Sequence, residues 1–349
     1  MRQPFVQAIA LLLLLSCGCG PKAAREQASA PEPTPAPPAR AVEKAVLATI
    51  PLPAFGTAIA LSPDGRRAYV TVQGGIVVVD TGAARVARTI ATGDTPYAIT
   101  LSADGSRGYA VDLGQQELSI LDLAGGRVSS RIALGPPSRP ALGPGVGLAP
   151  NGGTAYATIG RPEGQGYDML RIVDTASGDT SQRGLDFHPG PLVVARDGLL
   201  WIAGCVGRCS DGSLRIIDPS AIGTIAKIDL ASLPGAIAMS PGGRRVVVAN
   251  GRAGSVSVFD APTRSLVAVI PVGAEPAGVA ASPDGQRVYA TTLQSGELVA
   301  IDVATSRVVA TAQLGQSPRA IAVSPDGLRA YVTHSTPVVS VVDLTRLFP

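Results

Sequence analysis

A four-residue turn sequence that recurs seven times constrains the fold of this chain more than any other feature. Ser-Pro-Asp-Gly stands at residues 62–65, 282–285 and 324–327, and related sequences begin at residues 102, 149, 195 and 240. Pro presets φ at the second turn position, Asp or Asn bonds the backbone ahead, and Gly accepts a positive φ. Successive copies are 40, 47, 46, 45, 42 and 42 residues apart. This period indicates seven equivalent structural units.

An apolar run that ends in aspartate repeats with the same period. Its copies end at Asp80, Asp122, Asp174, Asp218, Asp260, Asp302 and Asp343. In the sixth unit, four strand-like runs cover residues 278–281, 288–292, 298–301 and 308–313. Frequent glycine and proline, 41 and 30 residues, disfavour long helices. We therefore predict an all-β fold, a seven-bladed β-propeller of four-stranded blades, in which each repeated Asp forms an Asx-turn.

The two ends of the repeat region predict how the ring closes. The last unit ends just after its third strand, at residues 338–343, and therefore lacks a fourth strand. Residues 45–51 precede the first unit and have the pattern of the missing strand. Pairing of the N- and C-terminal strands would close the ring and leave no open blade. The predicted propeller domain is therefore residues 45–349.

Residues 1–19 have the pattern of a secretory signal peptide. Arg2 supplies the positive charge, and an apolar stretch at residues 5–15 is too short to span a membrane. Leu14-Leu15-Ser16-Cys17 resembles the bacterial lipobox, which implies a lipid on Cys17 as the first mature residue. An ordinary cleavable signal peptide is the alternative. In lipoproteins of this kind an Asp after the lipidated Cys retains the protein in the inner membrane, and Gly18 carries no such signal.

Residues 20–44 are rich in proline and alanine and cannot build a core. We predict a disordered linker that holds the propeller away from the bilayer. The expected location is the bacterial cell envelope, as an outer-membrane lipoprotein that faces the periplasm or the cell surface.

The repeat resembles the YVTN family of β-propellers, the YncE-like proteins, over residues 46–349. Tyr69-Val70-Thr71 and residues 331–333 carry the first three letters of the family signature, together with the Pro-Asp-Gly turn and the apolar-Asp ending. Val72 and His334 stand where the family has Asn. The resemblance implies the propeller fold, but members of the family do different things, so it implies no single function.

The sequence contains few candidates for catalysis. There are two histidines, and no zinc-protease, nucleophile-elbow, haem-attachment or phosphate-loop motif occurs. Each repeated Asp lies on an outer strand of a different blade, too far from its copies to share a metal ion. Residues 46–349 hold 24 Lys and Arg against 23 Asp and Glu, and this net +1 disfavours nucleic acid. We predict no catalytic residue, no metal and no cofactor.

Cys205 and Cys209 are the only cysteines after the lipobox, and they flank three residues of one loop. In an exported protein this spacing favours a disulfide that stiffens the loop, whereas a metal site would need further ligands nearby.

In a propeller, the connections from strand D to strand A and from B to C emerge on one face, here called the loop face. The A–B and C–D turns form the opposite, turn face. Extra length falls on the loop face, at residues 135–145, 159–168 and 204–212. Off-register aromatic residues, both histidines and several arginines lie in the same connections. The candidate binding residues are Tyr97, Arg139, Arg161, Tyr167, His188, Arg208, Arg319 and His334.

Aligning the D–A connections places seven residues at one equivalent position, near the mouth of the central channel. They are Thr57, Tyr97, Pro144, Gly190, Gly235, Ala277 and Arg319. The planar guanidinium group of an arginine such as Arg319 can form two parallel hydrogen bonds to a carboxylate, so an acidic partner is favoured. The alternative is that these are solvated loop residues without function.

These patterns predict a monomeric binding or interaction scaffold for an envelope protein or a small acidic ligand, with membrane contact only through the lipid. The alternatives are a lactonase-like hydrolase that uses the central channel and a structural envelope protein without a specific ligand. The sequence does not identify the ligand or the process.

Overall fold

The computed structural model describes residues 39–135, 142–160, 168–206, 209, 211–221, 223–230, 232–273 and 275–348. The predicted signal peptide, Cys17 and linker residues 20–38 lie outside the described residues. Two short strands, β1 (Arg40–Val42) and β2 (Val46–Pro51), precede the first blade in the sequence.

The described chain forms seven sheets, each with four antiparallel strands that make one blade, and the sheet of blade six has a fifth strand; this confirms the predicted seven-bladed propeller. Blade one has β3 (Gly56–Leu61), β4 (Arg67–Val72), β5 (Gly75–Asp80) and β6 (Arg85–Ala91). Blade two has β7 (Pro96–Leu101), β8 (Arg107–Asp112), β9 (Glu117–Asp122) and β10 (Arg127–Ala133). Blade three has β11 (Val146–Leu148), β12 (Thr154–Ile159), β13 (Asp168–Asp174) and β14 (Thr180–Leu185). In each blade these are strands A to D in order.

The remaining blades repeat the same order. Blade four has β15 (His188–Val194), β16 (Leu200–Val206), β17 (Asp211–Ile217) and β18 (Thr224–Leu230). Blade five has β19 (Pro234–Met239), β20 (Arg245–Asn250), β21 (Ser255–Asp260) and β22 (Ser265–Pro271). Blade six has β23 (Pro276–Ala281), β24 (Arg287–Thr292), β25 (Glu297–Asp302) and β26 (Arg307–Gln313). Blade seven has β27 (Pro318–Val323), β28 (Arg329–His334), β29 (Val338–Asp343) and β2.

Ring closure occurs as the sequence predicts. Strand β2 pairs antiparallel with β29, with Val46 opposite Val342 and Ile50 opposite Val339. Ile50 is 1% exposed, and it packs with residues of blades one and seven. The first strand of the propeller therefore completes the last blade and leaves no open edge there.

Part of the predicted disordered linker, residues 40–42, forms a strand, which corrects the prediction for these residues. Strand β1 pairs parallel with β26 as a fifth strand on blade six, with Arg40 opposite Ala310 and Val42 opposite Ala312. Ala45 is buried in the same cluster. This strand is not predictable from the sequence, because three residues after a proline-rich stretch are too few to show an alternating pattern.

Each blade packs its apolar side chains against those of its neighbours. The aromatic residue at one strand-B position is buried in six blades: Tyr69, Tyr109, Tyr156, Trp201, Tyr289 and Tyr331. These residues form the core, as their repeated position predicts.

The repeated polar residues stabilise the turns. In the A–B turn of blade one, the Ser62 hydroxyl donates to Asp64 at 2.6 Å and accepts the Arg67 N–H at 2.9 Å, while Gly65 adopts φ 70°. After strand C, the Asp80 carboxylate accepts the N–H groups of residues 82 and 83. All seven copies of this Asp accept such a bond, which confirms the predicted Asx-turns.

The described residues contain one helix, a 3-10 helix at Leu344–Leu347. It is too short to cross a membrane.

Candidate functional site: the channel mouth on the loop face

The starts of the A strands surround a cavity of about 490 Å³ on the axis of the ring. Six of the seven aligned positions line it: Thr57, Tyr97, Pro144, Gly235, Ala277 and Arg319. At the seventh position, the neighbouring residue Pro191 takes the place of Gly190. The alignment of the repeats therefore located the wall of the cavity correctly.

The cavity has apolar walls below a polar rim. Ile59, Ile99, Ile237, Val279 and Ile321 line the walls, one from strand A of each of five blades. Tyr97 is 37% exposed at the rim, where its ring lies against Gly143. A side chain on residue 143 would overlap that ring. The absence of a side chain there lets the D–A connection approach the tyrosine closely.

Hydrogen bonds from neighbouring blades hold the backbone at this rim. The Thr57 hydroxyl of blade one donates to the main-chain oxygen of Tyr97 at 3.1 Å. The Thr291 hydroxyl of blade six donates to the main-chain oxygen of Arg319 at 2.5 Å. The Arg319 side chain is directed in turn, because its Nε donates to Oγ of Ser335 at 2.8 Å. The main chain that carries the exposed side chains of Tyr97 and Arg319 is therefore held in place by an adjacent blade.

Among the described residues that line the cavity, positive charge exceeds negative charge. The charged residues among those that line the cavity are Arg252, Arg319 and Glu275. The sequence patterns do not predict Arg252 or Glu275 as rim residues, because their loops carry no insertion. Alignment of the B–C loops, in addition to the D–A connections, would identify Arg252. A concave site with apolar walls and an excess of guanidinium groups can take an anionic group with an apolar part.

His188 lies outside the residues that line the cavity, at the boundary of blades three and four. Its Nδ1 is 2.6 Å from Oδ2 of Asp168, and the Asp168 side chain is only 5% exposed. The His188 side chain is 25% exposed. A buried carboxylate on Nδ1 fixes the orientation of an imidazole, and such a pair can transfer protons. The sequence pointed to His188 but not to Asp168.

His334 belongs to the interior rather than to a binding surface. It is 2% exposed, at the end of β28. Its Nδ1 lies 3.0 Å from the main-chain oxygen of Gln316, and its Nε2 lies 2.8 Å from Oγ of Ser340. Burial lowers the pKa of His334, so the ring is neutral at pH 7. The prediction that His334 binds a ligand is therefore corrected: the histidine is an internal hydrogen-bonding residue.

Four candidate residues, Arg139, Arg161, Tyr167 and Arg208, lie outside the described residues. The structure joins Cys205 and Cys209 in a disulfide, with their Cα atoms 4.9 Å apart. Cys205 is fully buried near the end of β16, so the bridge ties the end of a strand to the following turn.

Other cavities lie on the turn face. One of about 790 Å³ is lined by the A–B turns of blades two and three, and one of about 830 Å³ lies between blades four and five. Repeat residues line both of them, including the Asx-turn carboxylate Asp260 and its ion-pair partner Arg245 at 2.6 Å. Their polar groups are largely engaged in the turns, so the loop face remains the candidate site.

The fold and the repeat define this molecule as a seven-bladed β-propeller. Residues 221–326 match the family model described as YNCE-like beta-propeller, which confirms the resemblance predicted from the repeat. A comparison with curated proteins found no match.

Solved structures show the same fold. Kuenenia stuttgartiensis hydrazine synthase aligns with a TM-score of 0.73 and 18% identity, over 84% of this chain and 96% of that chain. The Cps50 (Swd1) beta-propeller domain of Myceliophteria thermophila aligns with a TM-score of 0.70 and 17% identity, over 85% and 98% of the two chains. At these identities the likeness concerns the fold alone.

Proposed function

We propose that this protein is a binding scaffold of the bacterial cell envelope, exported and anchored by a lipid on Cys17, whose ligand site is the channel mouth on the loop face. The observation that carries the proposal is the convergence of Tyr97, Arg252 and Arg319 around one cavity with apolar walls. None of these three side chains forms part of the repeated core, and variable residues on a rigid scaffold are where binding usually resides.

The chemistry of the rim favours an acidic partner. Arg319 and Arg252 present planar guanidinium groups that suit a carboxylate, and Tyr97 offers a large, rigid contact surface. Below them, the isoleucines accept an apolar group. A small carboxylate with an apolar tail and an acidic segment of an envelope protein meet these requirements equally well.

Crosslinking and affinity capture from intact envelopes would identify the partner, and variants would then test the site. Tyr97→Ala and Arg319→Ala should each weaken binding about tenfold or more, which corresponds to about 1.4 kcal/mol. The matched control is Arg66→Ala, an exposed arginine on the turn face. All three changes should alter stability by only about 0.5 kcal/mol. Weakening by Arg66→Ala alone would show that the site lies on the turn face. Failure to capture any partner would favour a structural envelope protein.

A hydrolase is the second candidate, and the Asp168–His188 pair is the observation that favours it. A carboxylate-oriented imidazole is a general base in many hydrolases. A panel of lactones and esters should be assayed with the wild type and with His188→Gln and Asp168→Asn. Turnover that both changes abolish, with unchanged melting temperatures, would establish catalysis at this pair. Absence of turnover on the whole panel would leave the binding scaffold as the function.

A further inference from the structure

Two adjacent blades carry an arginine at a strand-C position that is small or apolar in the other five. The position lies three residues before the repeated Asp, and its occupants are Val77, Ser119, Arg171, Arg215, Ser257, Val299 and Ser340. Side chains alternate along a strand. The neighbours of Arg171 on its own side of β13, Met169 and Val173, pack against blade two. The two arginines therefore point into the boundaries between blades rather than to the surface.

Arg215 has a carboxylate and an aromatic ring beside its guanidinium, although its buried Nε has no hydrogen-bond partner among the described residues. It is 6% exposed, and its Nη2 lies 3.7 Å from the carboxylate of Asp186, just after the last strand of the preceding blade. Its Cζ also stands 5.2 Å from the centre of the Phe187 ring. A carboxylate and an aromatic face together offset part of the cost of burying the guanidinium.

Arg171 reaches the corresponding region of blade two, where the described residues offer it no carboxylate. Its Nη2 lies against Gly135, where a Cβ would come within 2.7 Å of it. Residues 127–135, which form β10 and the two positions after it, include no acidic residue. The buried Nε of Arg171 has no hydrogen-bond partner in the part of the chain that the structure describes. Burial also lowers the pKa of the Arg171 guanidinium, although the group stays charged at pH 7.

A desolvated guanidinium with an unpaired N–H is costly unless an acceptor arrives. Arg171 is only half-buried, so solutes can reach part of its head group. From this geometry we propose that Arg171 anchors a carboxylate-binding site between blades two and three, distinct from the channel mouth. The carboxylate comes from a small molecule or from an acidic side chain of a partner protein.

The proposed carboxylate site lies next to a connection of the loop face. Gly135 begins the long D–A connection between blades two and three, and Gly143 near its other end lies against Tyr97. The arginine and the tyrosine thus mark the two ends of one connection. The inference does not depend on the proposed channel-mouth function, because a free carboxylate should bind Arg171 whether or not the channel has a ligand.

The test measures thermal unfolding of the full mature chain in succinate and in chloride at equal ionic strength. Saturating succinate should raise the melting temperature of the wild type by about 2 to 4 °C, since a ligand that binds only the folded state stabilises it. Because the proposed channel mouth also takes a carboxylate, the comparison is made in a background that carries Arg252→Ala and Arg319→Ala. In that background, Arg171→Met should abolish the rise and should not lower the melting temperature in chloride, because it removes a buried charge without a partner. The matched control is Arg127→Met, which makes the same charge change at a side chain that is 76% exposed.

A parallel titration with a tetraglutamate peptide separates the two sources of the carboxylate. A shift with succinate identifies a small-molecule site, and a shift with the peptide alone identifies a protein-docking site; both support the proposal if Arg171→Met removes them. Equal shifts with and without Arg171→Met in the background that lacks Arg252 and Arg319, or no shift with either probe, would overturn it. A large loss of stability for Arg171→Met in chloride would show that Arg171 is instead a structural residue.

Discussion

The hydroxyl of Thr158 in blade three donates a 2.7 Å hydrogen bond to the main-chain oxygen of Gly190 in blade four. The hydroxyl oxygen of Thr158 also accepts the N–H of Gly145 in its own blade, at 2.7 Å. Thr291 makes the equivalent contacts with Gly278 and Arg319. The threonine of the repeated Tyr-x-Thr run therefore ties two neighbouring blades together at the channel mouth.

Replacing this hydroxyl should destabilise the ring. Thr158→Val conserves shape but leaves the Gly145 N–H and the Gly190 oxygen unpaired in a buried site, at a cost of about 1 to 3 kcal/mol. Chemical denaturation would measure the loss. Thr158→Ser keeps the hydroxyl and serves as the control, with a smaller loss from the missing methyl group. Equal stability of the valine and serine variants would contradict the role assigned to the bond.

Shortening the chain from its N-terminus should reveal two separate contributions. A chain that begins at Glu43 lacks only β1 and should lose a small amount of stability relative to one that begins at Ala39. A chain that begins at Pro53 also lacks β2, including the buried Ile50, and should lose about 3 kcal/mol or more. Denaturant midpoints of the three chains provide the measurement. A Pro53 chain as stable as the other two would refute closure by β2.

The oxidised cysteine pair should be visible by mass. The intact mature protein should be two hydrogens lighter than its reduced form, because Cys205 and Cys209 are joined. Only three residues separate the two cysteines, so reduction should change the melting temperature little. Alkylation of both thiols in the freshly isolated protein, before any reductant is added, would reject the disulfide in the exported form.

The turn carboxylates should stay ionised in acid. Hydrogen bonds from the Ser102 hydroxyl and from Ser106 lower the pKa of Asp104 to about 2. Because the folded pKa is below the unfolded value of about 3.9, the stabilisation is complete above that pH and is lost as pH falls towards about 2. NMR titration of the carboxyl carbon would measure this pKa. Ser102→Ala should raise it, and an unchanged value would exclude the serine as the main cause.

Lipidation of Cys17 should determine where the protein fractionates. Cys17→Ser should release the chain into a soluble fraction or leave it unprocessed, because no other acylation site precedes the linker in this interpretation. Cys19→Ser is the matched control and should fractionate as the wild type does. Membrane association of Cys17→Ser with an unmodified mature N-terminus would argue against the lipid anchor.

The repeat made the blades and the channel mouth predictable, because local turn chemistry fixes each unit and alignment then assigns equivalent positions. Tyr97 and Arg319 were found in this way. The environment of His334 was not predictable, since its partners Gln316 and Ser340 lie on other segments. The sequence of one blade does not predict the burial of Arg171, because a single arginine in a strand gives no sign of burial. Comparing strand-C residues across the repeats would have revealed it beside Arg215.

The position of β1 and β2 also determines how the ring responds to force. Tension on residues ahead of β1 would act first on its three-residue parallel pairing with β26, at the outer edge of blade six. Only after β1 separates from β26 would the force act on the longer antiparallel pair of β2 and β29 that closes blade seven. Under tension the chain can therefore extend by the length of β1 while β2 stays paired with β29 and the ring stays closed.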